Sequence, residues 1–180
     1  MSELDTGHNY PRPERDLNSE LQLPRSFERV DFITENIAVG PAARLTKELV
    51  VSNGFCSILS LSDVPENHDL LDLKRDGVQL KFWERVLLVD GQENSYSKFE
   101  RAVNLLADLV EDGPVFVHCH AGLSRSPAVV VAQLAVAIEN GSDDQAIAQA
   151  FELVRAKRPE IDINSFLFHQ LERYVYENRM

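Results

Sequence analysis

Cysteine is scarce in this 180-residue chain: there are two, Cys56 and Cys119. Two thiols make no disulfide framework, and a chain of this length buries enough surface to hold a core without one. Basic residues are few as well, 18 against 29 acidic, for a net charge of −11. That balance argues against nucleic-acid binding, which draws its affinity from Lys and Arg on phosphates, and against docking on anionic membrane. No apolar run approaches the ~20 residues of a membrane span. The first 25 residues carry charges throughout and lack the apolar centre of an export signal. A cytoplasmic protein with reduced thiols is therefore expected.

At about 150 residues per domain, the length predicts one domain and a short extension. Residues 1–25 contain three prolines and eight charges, with neither a strand nor a helix period. They read as a flexible N-terminal extension. Residues 26–180 read as the folded domain.

Within that domain, strand-like and helix-like segments alternate. Strands are expected at 37–39, 56–61, within 78–89 (one or two) and at 115–118. Helices are expected at 42–52, 69–75, 95–110, 127–139, 143–157 and 164–178. Phe99, Val103, Leu106 and Val110 recur at helical spacing on one face. The stripe Phe151, Val154 and Phe166 is assigned to the core. Strands separated by helices imply an α/β fold: a central, mostly parallel sheet of about 4–5 strands flanked by helices. Ligands of such sheets bind beyond the carboxyl ends of strands.

The turn after the strand at 115–118 is His118-Cys119-His120-Ala121-Gly122-Leu123-Ser124-Arg125-Ser126-Pro127. It runs strand, glycine-containing loop, helix. Ser126 is a suitable N-cap and Pro127 a suitable first helical residue. The free N–H groups and positive dipole end of a helix N-terminus attract anions. Cys119 would lie in that field, where the nucleophilic thiolate is favoured. Arg125 follows six residues later, close enough for its planar fork to face the same point. Such a loop is a phosphate cradle with a nucleophile at its base.

Cleaving a phosphate monoester also calls for an acid at the leaving oxygen. Asp90 ends the apolar run Val86-Leu87-Leu88-Val89 and opens a polar loop. It is the expected acid, with Glu93 as the alternative and a plain turn as the bland reading.

His118-Cys119-x-x-Gly122-x-x-Arg125-Ser126 resembles the signature of the cysteine-based protein tyrosine phosphatases, and the form HCHAGLSRS resembles their dual-specificity branch. Ala38-Val39-Gly40 and Cys56 to Ser62 resemble the first strands of that domain. Arg158-Pro159 with Asn164, Phe168, Gln170 and Leu171 resembles its closing segment. The resemblance runs from about residue 30 to 178. It implies a phosphatase with Cys119 as nucleophile and a phosphocysteine intermediate. His120, Ala121, Gly122, Leu123, Ser124 and Arg125 would hold the phosphoryl oxygens. Asp90 would protonate the leaving group and later activate water, and Ser126 would assist departure of the thiolate. His118 and Asn164 would support the loop. The partner implied is a phosphoprotein, with phosphate, vanadate or sulfate able to occupy the loop. No metal, no cofactor and a monomer are expected.

The chain departs from many animal members at Val131-Ala132-Gln133-Leu134 and at Asp162-Ile163. No segment resembles the long phosphotyrosine-recognition loop of the tyrosine-only enzymes, so a shallow pocket is expected. Three other functions remain open from sequence. A non-protein phosphate monoester would be favoured by loop lysines, which are absent. A non-catalytic phospho-binding module would be favoured by loss of Cys119, Arg125 or Asp90. An arsenate reductase would be favoured by an early cysteine loop with the acid after it, and a sulfurtransferase by a different cysteine-to-basic spacing. Cys56 is expected in the core, His120 at either the substrate or solvent, and His68 and His169 outside any metal site. Asn164 also fits a helix cap.

Overall fold

The computed structural model describes residues 27–62, 77–78, 80–91 and 94–179. The expected extension over 1–25, the helix over 69–75, His68 and Glu93 lie outside the described residues.

Five strands form one sheet in the order β1-β2-β5-β3-β4. They are β1 (Asp31–Phe32), β2 (Ile37–Pro41), β3 (Ser57–Ser60), β4 (Phe82–Arg85) and β5 (Val115–Cys119). β2, β5, β3 and β4 run parallel, and only the two-residue edge strand β1 is antiparallel. The expected mostly parallel sheet is present. β1 was not anticipated, because two residues carry no readable period.

Period-two alternation divides the strands between two cores. Val39, Leu59, Val115, Val117 and Cys119 join the large cluster. Ala38, Ile58 and Phe116 point the other way, into a smaller cluster with Leu45, Val50 and Phe55. The helices are α1 (Lys47–Ser52), α2 (Tyr96–Glu111), α3 (Arg125–Val136), α4 (Asp143–Lys157) and α5 (Ser165–Asn178). α3 packs against α2, α4 and α5, and nine of its twelve residues are buried. Its sequence, RSPAVVVAQLAV, is apolar nearly all round, as a central helix must be.

Several boundaries differ from expectation. The segment 42–52 divides into a 3₁₀ turn and α1, because Thr46 caps a new helix by accepting from Leu49 N at 3.1 Å. α3 starts two residues earlier than Pro127 and ends at Val136. Its N-cap position is Ser124, not Ser126. Pro127 is tolerated in the first turn, where its missing N–H has no intrahelical partner to lose. Phe166 is exposed rather than core, whereas Val154 is buried and Phe151 packs on the core. Cys56 precedes β3 and is partly exposed, not core.

β3 pairs with β5 so that Ser57 lies opposite Val115. Cys56 and Cys119 therefore sit at opposite ends of the sheet, separated by about 16 Å of strand rise. A bridge between them would require movement of the backbone.

No helix among the described residues is long and apolar enough to cross a membrane.

Candidate active site

β5 is the central strand, and Cys119 is its last residue. The loop 120–124 carries the chain from there into α3. Its carbonyl oxygens have partners outside the loop. His120 O accepts from Ala42 N at 3.2 Å and Leu123 O from Asp162 N at 2.8 Å. Arg158 donates to Ala121 O from Nη2 at 3.1 Å and to Gly122 O from Nε at 2.7 Å. In a trans peptide the N–H of the next residue points opposite to the C=O. Four consecutive carbonyls facing outward therefore turn the N–H groups of residues 121–124 inward. Gly122 N–H shows the result: it donates to Cys119 Sγ at 3.2 Å.

Gly122 meets a backbone requirement here. Its φ is +71°, and a Cβ would lie 2.7 Å from the Gly40 carbonyl group. Only glycine enters this turn against β2 without displacement.

Ser126, in the first turn of α3, donates its Oγ–H to Cys119 Sγ at 3.3 Å. Had Ser126 been the N-cap, its hydroxyl would have turned to the helix backbone. The earlier helix start aims it at sulfur instead. The Cys119 side chain is buried, and its sulfur receives two hydrogen bonds.

Arg125 is 6% exposed. Its Nη1 donates to Leu88 O at 3.2 Å, and its Nε lies 3.6 Å from Asp90 Oδ2 with no hydrogen-bond partner. The other Asp90 oxygen accepts from Asn164 Nδ2 at 2.7 Å. Asn164 Nδ2 also donates to Ser124 Oγ at 3.1 Å, while Asn164 Oδ1 caps α5 at Leu167 N. The structure thus gathers Cys119, Arg125, Ser126, Asp90 and Asn164 around one crevice. They come from β5, α3, the segment after β4 and the start of α5.

His118 is buried, with Nε2 2.7 Å from Ser60 Oγ on β3. Burial pushes its imidazole down to about 4, so it is neutral at pH 7. Ser60 Oγ also accepts from Trp83 Nε1 at 3.2 Å. His120 is exposed at the rim, with Phe27 edge-on at a centroid distance of 6.2 Å. No group of three or more His, Cys, Asp or Glu able to hold a metal occurs among the described residues.

The sequence marks Arg158 only as part of the closing segment and gives it no role in the site. It is instead fully buried, with Nη1 2.6 Å from Asp31 Oδ2 on β1. Its signal was an arginine before proline at the edge of an apolar segment, which alone does not reveal a loop 36 residues away.

Together the sheet order and the strand–loop–helix cradle define an α/β protein with a buried cysteine under an anion-binding loop. The dual specificity phosphatase catalytic-domain model matches residues 39–177, and the chain belongs to that family. Human dual specificity protein phosphatase 16 is 31% identical over 137 residues, covering 72% of this chain and 18% of the relative. The putative tyrosine phosphatase 123R of invertebrate iridescent virus 6 is 35% identical over 89 residues, covering 48% and 59%. The chain thus matches less than two thirds of the length of either relative. In structure it is similar to a mouse putative dual specificity phosphatase crystallised with zinc tungstate. That match has a TM-score of 0.66 at 23% identity and covers 89% of this chain and 93% of the other.

Proposed function

We propose that residues 26–180 form a catalytic domain that hydrolyses phosphate monoesters on proteins in the cytoplasm, at phosphotyrosine and at phosphoserine or phosphothreonine. One observation carries this reading: Cys119 Sγ lies at the base of a ring of inward N–H groups, with Gly122 N–H and the Ser126 hydroxyl on the sulfur. In the first step Cys119 Sγ attacks phosphorus, and the bond from phosphorus to the side-chain oxygen breaks. The N–H groups of the loop and the Arg125 guanidinium hold the phosphoryl oxygens, and Asp90 gives its proton to the leaving oxygen. In the second step Asp90 takes a proton from water, which attacks the phosphocysteine. Phosphate leaves, and Ser126 hydrogen-bonds to the released thiolate. His118 and Asn164 hold the loop in place. The same loop accepts free oxyanions such as phosphate, vanadate or sulfate.

The test is hydrolysis of p-nitrophenyl phosphate, with chelator and reductant present, by the wild type and Cys119→Ser. Activity in the first and none in the second is expected. Phosphotyrosyl, phosphoseryl and phosphothreonyl peptides are then compared with inositol phosphates. Equal activity of both proteins overturns the nucleophile assignment, and a preference for inositol phosphates overturns the protein substrate.

A further inference from the structure

The segment that carries Asp90 leaves the sheet before it reaches the crevice. β4 ends at Arg85. Val86 N still donates to Ser60 O at 3.0 Å and Leu88 N to Leu61 O at 3.3 Å. Among the described residues no strand backbone continues the ladder beyond Leu88, and Val89 is 45% exposed. An exposed end of this kind would let the carboxylate wander.

Asn94 takes over where the sheet stops. Its carboxamide bonds both backbone groups of Val89: Val89 N–H donates to Asn94 Oδ1 at 2.6 Å, and Asn94 Nδ2 donates to Val89 O at 2.9 Å. One side chain thus reproduces the paired bonds of a strand partner. The Val89 carbonyl belongs to the peptide plane that carries Asp90 N, so fixing it fixes the origin of the Asp90 side chain. Asn94 is itself buried, at 6% exposure, and its own carbonyl accepts from Gln170 Nε2 on α5. The cap of the same helix, Asn164, holds the Asp90 carboxylate. α5 therefore grips the acid at two points: its stem through Gln170 and Asn94, its head through Asn164.

We propose that Asn94, supported by Gln170, is a positioning residue for the general acid, holding Asp90 at the distance from Arg125 that proton transfer to the leaving oxygen requires. This rests on the reading of Asp90 as the acid. The expected signature is selective. An acid matters most where the leaving oxygen is a strong base, and little where the leaving group departs as a stable anion. A general loosening of the site would slow every substrate alike.

The experiment compares phenyl phosphate, a poor leaving group, with 2,4-dinitrophenyl phosphate, a good one. For Asn94→Ala, kcat/KM on phenyl phosphate, which reports the first step and not the water step that Asp90 also serves, is expected to fall about 10–100-fold, since a misplacement near 1 Å costs on that order. The kcat/KM of the dinitrophenyl ester should stay within about twofold. Gln170→Leu keeps the volume, removes the donor to Asn94, and should show the same selectivity at about 3–10-fold. It decides the matter if Asn94→Ala does not fold. Asp90→Ala on the same pair separates the two levels of inference. If Asp90→Ala is selective and the Asn94 and Gln170 variants slow both esters alike or neither, the positioning role is overturned and the acid stands. If Asp90→Ala is itself unselective, the acid assignment falls and takes this proposal with it.

Discussion

Arg158 Nε donates to the Gly122 carbonyl oxygen at 2.7 Å, across 36 residues of sequence. The guanidinium is fully buried behind the loop and carries its charge against Asp31. It does not face the crevice. It turns the Ala121 and Gly122 carbonyls outward and so turns the next N–H groups inward. Loop chemistry therefore depends on a cation that would touch no substrate.

Replacing that cation should cost both stability and anion affinity. Arg158→Met takes from Asp31 its partner at 2.6 Å, leaving it the Arg29 pair at 3.0 Å, and leaves two loop carbonyls without their donors, a loss of roughly 2–4 kcal/mol. Urea unfolding measures the first effect and inhibition by vanadate the second. Adding Asp31→Asn, which removes the carboxylate that has lost its closer partner, should leave vanadate affinity low, because the loop carbonyls still lack their donors. If the double variant regains vanadate affinity, Arg158 does not orient the loop.

Gly122→Ala should be severe for a methyl group. The positive φ disfavours any side chain by about 1–3 kcal/mol, and the Cβ would overlap the Gly40 backbone. The variant should fold with reduced stability and lose vanadate inhibition. Unchanged inhibition would mean that the loop reaches its binding form without this turn.

Ser126→Ala removes one of the two donors on Cys119 Sγ. A hydrogen bond to a charged group is worth about 1.5–3 kcal/mol, so steady turnover should fall on the order of 10–100-fold. The loss should fall on the second step, where the thiolate departs. Rapid mixing with p-nitrophenyl phosphate should then show a burst of nitrophenol near one equivalent of enzyme. A slow reaction without a burst would place the role of Ser126 in the first step.

Stability should fall in mild acid through His118. Burial lowers its pKa in the folded protein to about 4, against an ordinary 6.5. Between those values the unfolded chain binds the proton and the folded one does not. The contribution is full above about pH 6.5 and is lost as pH falls toward 4, up to about 3 kcal/mol. Urea midpoints at about pH 7.5 and about pH 5 measure it. His118→Asn should flatten the difference, and an unchanged slope would assign it to other groups.

Much of the site is legible in the chain because it is local. Cys119, Gly122, Arg125 and Ser126 lie within eight residues, and a strand, a loop and a helix start are readable around them. The α/β alternation and parallel sheet were equally accessible, since crossovers follow from helices between strands. The helix start was misjudged by two residues at Ser124, because a cap is read from residue type and the hydroxyl of Ser126 had a better partner in sulfur. Phe166 and Cys56 were placed in the core on apolarity, but exposure depends on what packs against them.

The sequence by itself determined the family, the cysteine and arginine of the loop, and the alternation of strands and helices that makes the sheet mostly parallel. Those follow from residue types at short spacing. Only the tertiary structure decided which groups hold that loop open and which hold Asp90 beside it. Arg158, Asp162 and Ala42 turn the carbonyls away; Asn94, Gln170 and Asn164 hold Asp90 and its stem. Apart from the Asn94–Val89 pair, each acts through a hydrogen bond between residues far apart in the chain, and such a bond has no period or spacing from which it could be read.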